Sequence, residues 1–211
     1  MKKFACIILA LALCLGMAAM AESVPSRTTT DMVQFEATAE NMPADAAVTF
    51  TSVATIPAEE MTPEQQEKVA VCDAELQKLA ASESVEAYFG EVTDAQGNPV
   101  QLTEALGTDQ LNVFEFFPLN VEGYEEEYGA VTTTMLLSTP YAEGDTVAVL
   151  IGVVTVNEDG AQSVAWQMFE GVGLAPVEGQ EETTGRIQVT LPPEIITQIH
   201  NGTALMAVIS R

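Results

Sequence analysis

Histidine, tryptophan and basic residues are scarce in this 211-residue chain: one His, one Trp, and seven Lys and Arg against 31 Asp and Glu. Each scarcity removes a chemistry. Zinc sites take several imidazole or thiolate ligands, and any Ser-His-Asp triad would have to pass through His200. That histidine stands beside Asn201-Gly202, a helix stop, where an imidazole favours the negative end of the helix. No Gly-x-Ser-x-Gly occurs, and Ser52, Ser138 and Ser163 fall within strand patterns. The stretch GVGLAPVEG lacks the lysine and the strand-to-helix setting of a phosphate loop. The shortage of bases excludes nucleic acid as a partner, because the surface repels a phosphate backbone. One Trp and four Tyr leave few platforms for stacking sugars, which counts against a glycosidase. Two suitably spaced carboxylates can always be found among 31 acids and do not discriminate.

Long hydrophobic runs are also missing beyond the N-terminus. The opening MKKFACIILALALCLGMAAMAES has a basic start at Lys2-Lys3, an apolar stretch from Phe4 to Leu15, and small residues at Ala19 and Ala21. That pattern predicts a signal peptide over residues 1–21, cleaved after Ala21, and a secreted, extracellular protein with no membrane insertion after cleavage. The apolar run is shorter than the roughly 20 residues of a span. Leu13 before Cys14 does not suit a lipoprotein. Processing removes Cys6 and Cys14 and leaves Cys72 alone, so the fold is held by its core rather than by an internal disulfide. With Lys2 and Lys3 gone, five bases face 31 acids, a formal charge near −26.

A polar leader over residues 22–30, expected to be disordered, precedes two alternating runs, VQFEAT and AVTFTSVAT, which together predict an N-terminal hairpin. Thr62, Pro63 and Gln65 then supply a capping box and a helix start. Val69, Cys72, Leu76 and Leu79 form an apolar stripe, which predicts an amphipathic helix over about residues 63–81 lying on a sheet. Lys68, Lys78, Glu67, Glu75 and Gln77 are assigned to its wet side. DAQGNP at Asp94–Pro99 is a turn between two short strands. From residue 111 the chain reads as strands rich in Val, Thr and aromatics, separated by acidic turns, with one or two helical turns in PPEIITQIHNG. TVAVLIGVVTV is apolar on both faces and predicts a central strand. Val164, Trp166 and Met168 share a face, which favours a core tryptophan. The expected class is α+β, mainly β: a small α+β unit over residues 31–110 (the hairpin plus one amphipathic helix) and an immunoglobulin-like antiparallel β-sandwich over residues 111–211. The two halves can pack as one domain.

The signal sequence, the capped helix, NPVQLTEALGTD, VEGYEEEYG and the terminal VTLPPEII…NGTALMAVIS together resemble uncharacterised small exported proteins of Gram-positive gut bacteria. The C-terminal half resembles the immunoglobulin-like modules of bacterial surface proteins. The resemblance implies an extracellular setting and a sandwich, and it carries over no site residue.

Calcium is the remaining chemistry open to an acidic exported sandwich. Asp94 and Asn98, and Asn157 and Asp159, are the candidate ligands. Each set is also an ordinary turn, favoured because Asx-Gly and Gly-Asn supply the backbone a tight turn needs. The acidic stretch VEGYEEEYG reads as an inter-strand loop. Its Tyr124 and Tyr128 are expected to pack their rings at the sandwich end with wet hydroxyls. The sequence points to no catalytic residue and no cofactor, and to a non-enzymatic binding or interaction module for a protein or glycan partner. The alternatives are a carbohydrate-active hydrolase or its accessory module, and a surface protein assembling through its first and last strands as edges.

Overall fold

The computed structural model describes residues 34–137, 141–157, 159–175 and 185–210. The signal peptide and leader fall outside the described residues. Ten strands are present among those described: β1 (Gln34–Ala39), β2 (Thr49–Ser52), β3 (Val92–Thr93), β4 (Pro99–Val100), β5 (Asn112–Glu122), β6 (Val131–Leu137), β7 (Thr146–Val156), β8 (Gln162–Leu174), β9 (Gly185–Leu191) and β10 (Thr203–Ser210). The helices are α1 (Pro63–Ala81), α2 (Val85–Phe89), α3 (Leu102–Leu106) and α4 (Pro193–Asn201).

Eight strands join in the order β1-β6-β9-β8-β7-β10-β5-β2, every neighbour antiparallel. The two end strands, β1 and β2, lie alongside each other, so the sheet curls round until it nearly closes. The α+β, mainly β, sandwich-like class expected from the sequence is therefore the class observed. The expected N-terminal hairpin does not form. β1 pairs with β6 and β2 with β5, each joining the large sheet rather than forming a two-stranded ribbon, which is marginal by itself. Strands from both sides of residue 110 thus share one sheet.

The curled sheet buries its inner face along its length, and β5, β7 and β10 are buried on both faces. Inside the curl pack Phe117, Leu119 and Val121 of β5, Met135 of β6, Val149 and Ile151 of β7, Ile187 and Val189 of β9, and Met206 and Val208 of β10. Ile195, Ile196 and Ile199 of α4 and the rings of Tyr124 and Tyr128 join this core. The outer face of β5, β10, β7 and the first half of β8 carries a second core. There Phe116, Leu150, Trp166, Leu205 and Ile209 meet Cys72 and Leu79 of α1, Phe89 of α2, and Leu102 and Leu106 of α3. The alternating residues of β7, Val147, Val149 and Ile151 against Ala148 and Leu150, divide between the two cores. This is why that strand reads as apolar throughout.

Helix α1 begins with the expected capping box: Thr62 Oγ1 accepts from Gln65 N at 3.2 Å and Thr62 N donates to Gln65 Oε1 at 2.8 Å. Its buried line runs through Lys68, Val71, Cys72, Glu75 and Leu79, which corrects the wet-side assignment of Lys68 and Glu75. Val69 and Leu76 are only half-buried. Both charges enter the interface with partners, as buried charges must. Lys68 Nζ donates to Asn120 Oδ1 at 3.3 Å and pairs with Glu64 at 3.2 Å. Glu75 accepts from Lys78 at 2.6 Å and from the Tyr88 hydroxyl at 3.0 Å.

Candidate functional site

The most distinctive feature of the sheet is a fork on β8. One edge of this strand is paired with β7 from Gln162 to Val172. The other edge is shared: β3 pairs in parallel with Trp166 and Gln167, and β9 pairs antiparallel with Gly171 to Leu174. Between them Met168, Phe169 and Glu170 have no partner strand on that side among the described residues.

The fork coincides with the edge of the helical layer. Residues of even number on β8 point outward: Val164, Trp166 and Met168 belong to the covered core, while Glu170 and Val172 lie beyond it and are exposed. Val172, at 40%, is one of two exposed large hydrophobics among the described residues, the other being Val156. An open groove of about 450 Å³ follows this boundary. The β3–β4 turn at Asp94–Gln96 forms one wall, Gln188 and Thr190 of β9 the other, and Met168, Glu170 and Val172 the floor.

The turn wall is closed by its own hydrogen bonds. Asp94 Oδ1 accepts from the backbone N–H of Gln96 and of Asn98, each at 2.8 Å, and Asp94 Oδ2 accepts from Asn98 Nδ2 at 2.9 Å. The Asn98 side chain, followed by these backbone donors, holds the Asp94 carboxyl below its usual range. The first calcium candidate is thus a turn that turns its ligands on itself, with Asn98 serving as a donor to Asp94. At the second, Asp159 Oδ1 accepts from Ala161 N at 3.1 Å, and Asn157 closes the β7–β8 turn through its backbone. The structure does not bring the two sets together. Among the described residues no group of three or more His, Cys, Asp or Glu is placed to hold a metal ion.

Other residues singled out by the sequence have structural duties. His200, in the last turn of α4, places Nδ1 2.9 Å from the Val121 carbonyl and so ties the helix to β5. Trp166 is buried, with edge-to-face contacts to Phe89 at 4.9 Å and Phe116 at 6.0 Å. Cys72 is fully buried. Tyr124 and Tyr128 pack their rings edge to face at 6.3 Å, but the Tyr124 hydroxyl is not wet: it donates to the Gly129 carbonyl at 3.0 Å. Burial and the Glu126 and Glu194 charges raise its pKa. Burial, then Glu125 and Glu127, raise that of Tyr128. Glu125, Glu126 and Glu127 are exposed, on a loop that carries the chain from β5 across to β6, which are not neighbours.

The charge of the described surface is one-sided. Lys68 is buried and paired, Lys78 is bonded to Glu75, and Arg186 Nη1 donates to the Ala175 carbonyl at 3.1 Å. No helix among the described residues is long and apolar enough to cross a membrane. The last strand, expected as an edge, is central, between β7 and β5. The fork itself was missed by sequence reading: each strand is legible, but their parting depends on the β3–β8 pairing. Comparison with protein-family models, with curated proteins and with solved structures finds no match to this chain.

Proposed function

We propose that this protein is an exported, non-enzymatic binding module that holds a protein or glycan partner on the open part of its sheet, beside the β8 fork. The observation that carries this reading is the groove at the fork. There the helical covering stops and polar side chains with hydrogen-bonding capacity, Gln96, Glu170, Gln188 and Thr190, line an open groove together with the apolar Met168 and Val172. A few convergent polar groups over apolar ground are what fixes a ligand's orientation. Asp94, the second carboxylate there, is held ionised by three donors, which suits a structural wall better than a general acid. The only histidine is committed to the Val121 carbonyl. Export rests on the Lys2-Lys3 start, the apolar run and the Ala19–Ala21 motif. With β10 central, assembly through the last strand loses its support.

The test is a panel of polysaccharides and extracellular-matrix proteins, assayed for binding and for release of reducing ends. Wild type is compared with Glu170→Lys and Gln188→Ala. Binding that weakens in both variants without sugar release supports the proposal. Binding indifferent to both substitutions, or catalytic release of sugar, overturns it.

A further inference from the structure

Helix α4 hands over to β10 through Asn201-Gly202, the one Asn-Gly pair in the chain. Such a pair can cyclise: the backbone nitrogen of the glycine reaches the side-chain carbonyl carbon of the asparagine, and no Cβ stands in the way. The attack needs a side chain free to turn and a backbone N–H that is not held elsewhere. Asn201 is exposed and is the last residue of α4, where helices fray. Helices α1, α2 and α3 each close on a cap residue whose N–H donates to a carbonyl of the last turn. Gly202, the cap of α4, makes no such bond among the described residues and is extended, at φ −142° and ψ −165°. The chain's Asp-Gly pair, Asp159-Gly160, is an internal control. There Gly160 N donates to the Asn157 carbonyl at 2.9 Å and Asp159 Oδ1 accepts from Ala161 N at 3.1 Å, so both reacting groups are engaged. Asn120 is likewise occupied, by Lys68 and Glu122, and precedes the β-branched Val121.

We propose that Asn201 is a site of spontaneous covalent modification, losing its side-chain amide through a cyclic imide formed with Gly202. Gly202 N bonds to Asn201 Cγ and gives up its proton; the Cγ–Nδ2 bond breaks, and Nδ2 leaves with that proton as ammonia. Water then opens the ring at either carbonyl and restores the N–H of residue 202. The product is aspartate, or isoaspartate, in which the main chain runs through the side-chain carbons. The net reaction consumes one water and releases one ammonia, with no oxidant, reductant or enzyme. Its position gives the change a structural effect. Either product sets a carboxylate at the negative end of the α4 dipole. Isoaspartate also lengthens the backbone between two fixed elements: α4, with Ile195, Ile196 and Ile199 in the inner core, and β10, paired on both sides. The modification is independent of the groove and of the binding reading.

The full chain is incubated in neutral buffer, folded and in parallel in concentrated urea, and sampled over time by peptide mass mapping with isoaspartate resolved by chromatography. In the folded protein Asn201 should convert within about tenfold of its rate in urea, tenfold being the upper reach of one net backbone hydrogen bond. Asp159 should isomerise more than about tenfold slower folded than unfolded, because both of its reacting groups are bonded. Gly202→Ala should slow conversion at Asn201 by more than about tenfold. Its Cβ would stand 3.0 Å from the Gln198 carbonyl oxygen, so Asn201→Gln, which keeps the amide but needs a larger ring, serves as the second variant. Ammonia release should be lost in Asn201→Gln, and wild type aged to conversion should melt below Asn201→Gln aged alongside it. Conversion of Asn201 more than about tenfold slower folded than in urea, or no faster in the folded chain than at Asn120, overturns the proposal. Equal melting of the two aged proteins, once Asn201 has converted, overturns the structural effect assigned to it.

Discussion

Gly152 lies opposite Trp166 in the β7–β8 ladder, with the indole directly over it. A Cβ on residue 152 would stand 2.6 Å from Trp166 Cζ3, 2.6 Å from Val164 Cγ1 and 2.8 Å from Trp166 Cε3. Gly152→Ala must therefore lift the tryptophan, which is itself wedged against Phe89 and Phe116 under the helices. Overpacking a filled core costs about 1–3 kcal/mol. Gly152 does not have positive φ, so Ala is sterically compatible with its backbone and returns about 0.4–1 kcal/mol by restricting the unfolded chain. The net expectation is a loss of about 1–2 kcal/mol. For a chain of this size that lowers Tm by about 2–8 °C. Urea denaturation followed by the fluorescence of the single tryptophan measures both stability and displacement of the reporter. Adding Trp166→Leu should recover about 1 kcal/mol of coupling in a double-mutant cycle. A Gly152→Ala variant of unchanged stability and unchanged emission would refute the packing described here.

Three further outcomes follow from the same structure. Thr133, 1% exposed inside the curl, has a hydroxyl without a hydrogen-bond partner among the described residues. Thr133→Val should therefore raise stability by about 1 kcal/mol in urea melts; a loss would show that the hydroxyl is satisfied. Burial raises the pKa of Tyr88, with the adjacent Glu75 adding to it, and likewise raises those of Tyr124 and Tyr128. The unfolded chain then releases these protons first, near pH 10. Stability is full below that pH and falls as pH rises through the folded values, and a Tm flat between pH 9 and 12 would contradict it. Glu125→Ala with Glu127→Ala removes two exposed charges and should shift stability by less than about 0.5 kcal/mol. A larger loss in chelator-free buffer, absent when chelator is added, would reveal a bound cation.

Local features were legible where local physics decides them. The capping box at Thr62–Gln65, the Asp94–Asn98 turn and the doubly buried β7 all follow from neighbouring residues. The buried face of α1 was misplaced because Lys68 and Glu75 enter it through partners distant in sequence, Asn120 and Tyr88. The short helices α2 and α3 were overlooked. Ser84 caps the first by accepting from Ala87 N at 3.0 Å, and the second ends at left-handed Gly107, but neither is long enough to show a period. The fork was invisible for the same reason as the β1–β6 pairing: register between remote strands is set by how faces bury together, and no local pattern records it.

The position of β10 has a consequence for how the molecule comes into being. β10, the furthest along the chain of the described strands, is inserted between β7 and β5, and the first described strand closes against β6, with Phe35 opposite Met135. Neither core is complete until Ser210 is available, so no N-terminal fragment has a finished sheet to rest in. Such long-range pairing makes folding slow. A chain truncated before Thr203 should accumulate as a protease-sensitive species rather than as a smaller folded domain.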